Sequence, residues 1–188
     1  MSTKVLLTST NFVRTQTAIS DNVTDKLILP AIRETQDINL REILGSNLLN
    51  KLCELVVSGK IEFPQNSKYK ELLDIGQYYI CYQSISNLVV SSTYKINNLG
   101  IHQNNDEYTQ VPYMSEVFRL KDWWVSRADH YCLLMQQFIL RNIKDFPELD
   151  GDDYNRIHSH LYSSASCGIN LGGERGVKYY NKYKPCWP

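Results

Sequence analysis

The sequence has no surplus of charge of either sign, because Lys plus Arg and Asp plus Glu number 20 each. Proteins dedicated to nucleic acid usually carry a basic excess, so the balance argues against that class. No apolar run reaches the roughly 18 residues that a membrane span needs, and Val5–Leu7 is too short a run for a signal peptide. We therefore expect no membrane partner. Only 9 Gly and 6 Pro occur in 188 residues, which argues against a low-complexity chain.

Cysteine is present in an odd number, five, and no two cysteines have CxxC spacing. Reduced, mostly buried thiols in a cytosolic setting are the expected state. The possible zinc ligands near the carboxyl end have irregular gaps, unlike the tight pairs of zinc sites; they are His158, His160, Cys167 and Cys186. The sequence therefore predicts no metal site.

Catalytic patterns are missing as well. Cys167 and His158 lack a nucleophile elbow or an oxyanion loop, and Asp152 with Asp153 forms a Gly-Asp-Asp turn that is typical of a cap or a solvated loop. The glycine-rich stretch 172–176 lacks a Walker lysine and favours a hairpin turn. We predict no catalytic residue, no cofactor and no enzymatic activity.

Tyrosine is the residue present in excess, with 13 copies against 5 Phe and 3 Trp. A tyrosine buries its ring and keeps its hydroxyl wet, which suits interfaces and half-exposed core edges. The length predicts about one domain. The sequence therefore predicts one globular domain with an unusually large number of tyrosines that can form contacts.

Apolar spacing predicts a mainly α-helical fold. A first helix runs from Thr24 or Asp25 to about Asp37, with Pro30 in its first turn or at a bend. Gly45 breaks a second apolar stretch, a Leu-rich helix follows and ends near Gly59, and a long central helix runs from Ser67 to about Tyr94.

The clearest helix is predicted to begin with Ser115 as its cap and to run to about Ile143. One face recurs at steps of three and four residues and is predicted to be core; its members are Leu120, Trp124, Ala128, Tyr131, Met135 and Phe138. Trp123 lies off that face, so we expect it to contact a neighbouring molecule.

Three segments outside the helices complete the predicted organisation. Residues 1–21 read as an extended amino-terminal arm that docks on a neighbour or on the body of the domain. Residues 22–150 read as a helical domain whose β-hairpin or loop projects at about 95–112, and residues 151–188 as a carboxyl-terminal docking tail. From Tyr154 onward the chain has five basic residues against one acidic residue and few aliphatic ones. It therefore needs something to dock on.

The tail pattern leaves more than one partner open. Interleaved Lys and Tyr can contact phosphates and stack on bases, can guard an edge strand, or can pack on a protein. A protein partner is favoured. The predicted partner contacts are Ile96, Leu99, Ile101, Tyr108, Trp123, Tyr179, Tyr180, Lys182, Tyr183, Lys184 and Trp187.

Residues 28–52, ILPAIRETQDINLREILGSNLLNKL, resemble the opening helices of head–tail connector proteins of tailed phages, especially those of crAss-like Bacteroides phages. The resemblance covers about residues 22–150 and includes the segment Lys95–Gln103 and the Phe146-Pro147 step. The matching positions in the first stretch are Ile32, Gln36, Asp37, Ile43, Leu44, Gly45, Leu48 and Leu52.

The resemblance implies a structural protein of the virion neck, made in the host cytoplasm. It implies a helical bundle with a projecting hairpin, assembled with copies of itself into a ring, often a dodecamer. The ring would bind the portal protein and other neck or tail proteins, and DNA would pass through its channel without sequence-specific binding. The alternative is a DNA-binding helical accessory protein, and a hydrolase is a third reading.

Overall fold

Two long helices form the spine of the molecule in a computed structural model that describes residues 5–97, 100–103 and 113–150. They are α5, Ser67–Thr93, and α6, Met114–Arg141. The two run antiparallel, because Tyr82 of α5 contacts Trp124 whereas Tyr69, one end of α5, contacts Phe146 beyond the end of α6. Between them the Gly76 backbone comes close to the Met135 side chain, which is fully buried.

A smaller layer of helices packs on another side of α5. It comprises α1, Thr10–Gln16; α2, Asp25–Glu34; a π-helix, Thr35–Leu40; α3, Arg41–Leu44; and α4, Ser46–Val57. Short 3-10 turns occupy Lys60–Glu62, Pro64–Asn66, Ile143–Asp145 and Pro147–Asp150. The central position predicted for the long helix is confirmed, since α5 contacts both α2 and α6.

The apolar face of α2 is fixed by its contact with α5. Ile28 and Ile32 are fully buried, whereas the neighbouring Leu27 is exposed. Pro30 stands inside α2, beyond its first turn, so a first-turn position is wrong. The sequence predicts one helix that runs to about Asp37, but α2 ends at Glu34. From Thr35 the backbone continues as the wider π-helix.

Glycine marks both ends of α4 as the sequence predicts. Gly45 separates α3 from α4 with a φ of 79°, and Gly59 follows the end of α4 with a φ of 66°. A positive φ disfavours a side chain with a Cβ, so glycine is the residue that fits. The buried stripe of α4 is Leu48, Leu49, Leu52 and Leu55.

Two four-residue strands continue directly from α5. They are β1, Tyr94–Asn97, and β2, Gly100–Gln103, and they pair antiparallel with Tyr94 opposite Gln103. The mainly helical class is confirmed. The described residues do not support a hairpin that projects from the bundle, and residues 104–112 of that prediction lie outside them.

The amino-terminal residues differ from the extended arm that the sequence predicts. Residues 10–16 form α1, and Leu7, Thr8 and Val13 are buried against the body. The extended reading is therefore wrong for the described part of residues 1–21. The segment is ordered by contacts with residues far away in the chain, which a local sequence pattern does not reveal. The predicted docking tail, residues 151–188, lies outside the described part.

The start of α6 also corrects the sequence reading. The helix begins at Met114, so Ser115 lies within it, and the Glu116 carboxylate accepts a hydrogen bond from the Tyr113 N–H at 3.1 Å. The helix ends at Arg141, two residues before the predicted end. Trp124, Ala128 and Met135 are buried as predicted, but Leu120 is 48% exposed.

Candidate interaction surface

Six aromatic rings contact one another in a row along the junction of α5 and α6; we call this row the aromatic strip. Its members, in order of contact, are Phe12, Tyr78, Tyr131, Tyr82, Trp124 and Trp123. Neighbouring ring centroids are 5.4, 5.1, 5.5, 5.9 and 4.5 Å apart in that order. These are the spacings of stacked and edge-to-face aromatic pairs.

Helical periodicity explains why the rings align. Tyr78 and Tyr82 are four residues apart on α5, and Trp124 and Tyr131 are seven apart on α6, so each pair lies on one side of its helix. Phe12 of α1 extends the row at one end. The strip accounts for part of the tyrosine excess and joins three helices.

The tyrosines of the strip are half-buried and keep their polar ends available. Among the described residues, the hydroxyls of Tyr78, Tyr82 and Tyr131 form no hydrogen bond. Burial, together with the neighbouring Tyr131 and Cys81, raises the pKa of Tyr82 above its usual value. The strip is thus an apolar band with hydroxyl groups that a partner can use.

Trp123 forms the exposed end of the strip. It is 47% exposed, whereas the adjacent Trp124 is 8% exposed. The guanidinium of Arg127 lies over the Trp123 ring at 3.8 Å from the centroid, which is a cation–π contact. The contact holds the indole in place before any partner arrives, and Trp and Arg are the residues that most often anchor protein interfaces.

Further large apolar side chains are exposed at the start of α6. We call this group the α6 patch; its members are Tyr113, Met114, Phe118, Leu120 and Trp123, all exposed. Tyr113 is the most exposed of them, at 79%. Isolated exposed apolar residues are ordinary. Five within eleven residues are a concentration that favours an interaction site, with Leu120 and Trp123 on one side of α6 and Met114 and Phe118 on another.

The Leu120–Trp123 side of the patch follows a helical stripe. Tyr113, Glu116, Leu120, Trp123 and Arg127 recur at steps of three and four residues, which places them on one side of α6. This stripe borders Trp124 and Tyr131 of the strip. A partner lying along it would meet aromatic rings, one carboxylate and one guanidinium.

A second arrangement, missed in the sequence, holds the amino-terminal segment to the body. The buried Gln36 accepts a hydrogen bond from the Leu7 N–H and donates one to the Val5 carbonyl, both at 2.8 Å, and Gln77 donates to the Leu7 carbonyl at 2.8 Å. The π-helix turns Gln36 toward this segment while Thr35 faces α5, where its hydroxyl accepts from Ser84 at 3.3 Å. No local signal in the sequence indicates a contact over such separations.

Among the described residues, no group of three or more His, Cys, Asp or Glu is placed to hold a metal ion. A shallow depression of about 520 Å³ beside the amino-terminal segment is lined by Leu6, Phe12, Leu29 and Gln77, among others, with no ionisable side chain. Within the same ranges, none of the helices combines the length and apolar character that a bilayer crossing requires.

The cysteines of the described part are placed as buried thiols. Cys81 and Cys132 are buried and Cys53 is half-buried. Burial raises the pKa of the Cys81 thiol from its ordinary 9.0 to about 12, so the thiolate that a nucleophile needs is not formed near neutral pH. Cys167 and Cys186 lie outside the described residues.

Among the predicted partner contacts, Trp123 is exposed as expected, and its contact with a partner stays a prediction. Ile96 and Ile101 stand opposite each other in the backbone pairing of β1 and β2. The others lie outside the described residues; they are Leu99, Tyr108, Tyr179, Tyr180, Lys182, Tyr183, Lys184 and Trp187. The sequence missed the strip as a unit, because its rings come from three helices.

Comparison with known proteins gives one result. Residues 40–159 match the model of DUF6712, described as a family of unknown function. The match includes α4, α5, both strands and α6, and excludes the amino-terminal segment with Gln36. No curated protein and no solved structure matches the chain.

Proposed function

The chain belongs to the DUF6712 family, a family of unknown function, and on the basis of its own surface we propose that it is a structural subunit of the head–tail connector of a tailed phage. Copies of the chain form a ring, a dodecamer, below the portal protein. The ring joins the portal to the tail and leaves a channel for DNA. The protein is a component of the virion neck and carries out no chemistry.

One observation carries the proposal: the α6 patch leaves five large apolar side chains uncovered at the start of α6. At roughly 25 cal/mol per Å² of apolar surface, covering such a patch is a substantial driving force for association. The resemblance of residues 22–150 to connector proteins indicates which assembly the patch would serve, namely a ring below the portal.

A ring requires two different surfaces that meet head to tail, and the helical body offers both. The α6 patch lies on one side of α5. Other exposed apolar side chains, Leu27 of α2 and Ile38 of the π-helix, belong to the layer on another side of α5. We assign these two sides to the opposite faces of a wedge, so that the Met114 and Phe118 side of α6 in one copy meets α2 and the π-helix of the next.

The segments outside the wedge supply the remaining contacts of the proposal. We assign contacts with the portal or other neck proteins to residues 94–112, and contacts with a neighbouring subunit to the tail, residues 151–188. The balanced net charge suits a ring around DNA. It does not make neighbouring copies repel one another, and it does not hold the DNA that slides through the channel.

The proposal is tested by native mass spectrometry of the full chain, alone and mixed with the portal protein of the same phage. The expected result is a closed ring on the portal. Trp123→Ser should weaken the ring at least tenfold, whereas the matched control Asn50→Ser, at an exposed position on α4, should not. A chain that stays monomeric beside the portal overturns the proposal, and a salt-dependent mobility shift of duplex DNA would instead favour the DNA-binding alternative.

A further inference from the structure

The geometry points to a specific occupant for the α6 patch: we infer that residues 177–188 of a neighbouring copy bind along the stripe of Tyr113, Leu120 and Trp123. The inference deepens the proposed function and rests on it, because it names the contact that joins one copy to the next. The segment has the sequence VKYYNKYKPCWP.

The receiving stripe is prepared for an aromatic partner. Trp123 is held by Arg127 at 3.8 Å, and its other neighbour is the edge-on ring of Trp124 at 4.5 Å. Along the adjoining strip, the free hydroxyls of Tyr82 and Tyr131 face no acceptor within the described residues. Binding there covers apolar rings and supplies hydrogen-bond partners to the tyrosine hydroxyls. Because these rings already pack against one another, ordering them on binding costs little conformational entropy.

The proposed occupant has a matching composition. Four of its twelve residues are aromatic, Tyr179, Tyr180, Tyr183 and Trp187, and Val177 is its one aliphatic residue. It can therefore bury rings against a partner but cannot form a core of its own. Its three lysines stand without an acidic residue, and Glu116 on the stripe offers a carboxylate to one of them.

The chain is long enough to make the contact. The described body ends at Asp150, at the end of the bundle where Phe146 packs on Tyr69, whereas the patch lies toward the start of α6. From Arg141 back to Trp123 the helix axis measures about 27 Å. Residues 151–176 span at most about 90 Å when extended, so the segment can pass the end of its own body and reach α6 of the next copy.

A disulfide between two differently marked chains tests the inference, because Cys186 lies inside the proposed segment. One chain carries Ser126→Cys, at an exposed position three residues after Trp123, together with Cys186→Ser. The other chain keeps Cys186 and differs in size through an affinity tag. Because no chain has both Ser126→Cys and Cys186, a disulfide that joins these positions forms only between chains. Both chains also carry Cys167→Ser, which removes a competing thiol.

The expected result after mild oxidation of the mixed full-length chains is a covalent heterodimer on a non-reducing gel. The control replaces Ser126→Cys with Asn50→Cys, an exposed site on α4, and should give at least tenfold less product. Adding Trp123→Ala to the Ser126→Cys chain should lower the yield several-fold. Equal yields at positions 126 and 50, or no heterodimer at all, overturn the inference.

Native mass spectrometry of the same oxidised mixture, with the portal protein added, distinguishes failure of the tail contact from failure of the ring. Rings without the 126–186 disulfide would leave the ring proposal standing and overturn the tail contact alone. Monomers with neither ring nor disulfide would overturn both.

Discussion

At the scale of single residues, the adjacent Trp123 and Trp124 differ in exposure and in role. Trp124 is 8% exposed and stacks on Tyr82 inside the bundle, whereas Trp123 is 47% exposed and touches mainly Arg127 and the edge of Trp124. One ring supports the fold and the other is available to a partner. Because the pair are chain neighbours of the same type, they provide a matched comparison.

Replacing Trp124 with Ala should lower the free energy of unfolding by about 3–5 kcal/mol, because a large buried ring leaves a cavity. Trp123→Ala should lower it by less than about 1 kcal/mol, because an exposed cation–π contact is weak. Urea denaturation of both variants measures the difference. Equal losses of stability would show that Trp123 belongs to the core, contrary to its assignment.

Two glycines should respond to alanine with opposite signs. At Gly76 a Cβ would meet only the Met135 Sδ at an ordinary 3.6 Å, so Gly76→Ala should stabilise α5 by about 0.5–1 kcal/mol. At Gly59 space is open but φ is +66°, so Gly59→Ala should cost about 1 kcal/mol through backbone strain. Thermal unfolding checks both signs, and a destabilised Gly76→Ala would mean that α5 and α6 pack more tightly there.

Alkaline pH should destabilise the protein through Tyr69 and Cys81. Burial raises the pKa of Tyr69 above its ordinary 10.0, and so does the Glu148 carboxylate, which accepts a hydrogen bond from the Tyr69 hydroxyl at 2.9 Å. Burial also raises the pKa of the Cys81 thiol from 9.0 to about 12. The unfolded chain releases these protons first, so the stabilisation is complete below pH 9 and is lost as the pH rises.

The measurement is the melting temperature between pH 8 and pH 11. The expected result is a decline that begins near pH 9, and a smaller decline in Tyr69→Phe, which has no proton to lose at that position. An alkaline decline identical in Tyr69→Phe would remove Tyr69 from the explanation.

At the scale of elements, the amino-terminal segment depends on one glutamine. Gln36 pairs with the main chain of Val5 and Leu7, and its loss would leave the buried Leu7 N–H without an acceptor. Gln36→Ala should therefore accelerate hydrogen exchange of the Leu7 amide at least about tenfold while α6 amides keep their protection. Gln83→Ala, a half-buried glutamine of α5 that does not touch the segment, is the control.

The elements that the sequence predicts correctly are those defined by local signals. Gly45 and Gly59 end helices through their own backbone conformations, and the spacing of Trp124, Ala128 and Met135 predicts a buried face. Those three are buried, but Leu120 on the same predicted face is exposed, whereas Val117, one turn earlier, is buried. Periodicity predicts that one face is buried, but not which residues at the edge of that face a neighbouring element covers.

Long-range contacts explain what the sequence could not supply. The amino-terminal segment reads as an arm because its anchors, Gln36 and Gln77, lie 29 and 70 residues away from Leu7. Likewise, the tyrosine excess indicates an interface in general terms, but the strip forms only when α5 and α6 adopt one particular antiparallel register. Trp123 was identifiable because it departs from the predicted core face of its own helix.

At the scale of the whole molecule, the proposed subunit is a wedge with two unlike apolar sides. The aromatic strip stiffens the junction of α5 and α6, and the α6 patch extends this junction to the surface. A rigid body with an uncovered face suits closed assembly, because a ring closes only when each copy repeats the same rotation. The neutral charge leaves that association without long-range repulsion.

The most direct test of the central claim is electron cryo-microscopy of the full-length protein bound to its portal. The account predicts a ring of identical copies in which the α6 patch, with Trp123 near its centre, is buried at every junction between neighbours. A reconstruction in which the chain binds as a single copy, or in which rings form while Trp123 and Leu120 stay exposed to solvent, would contradict it.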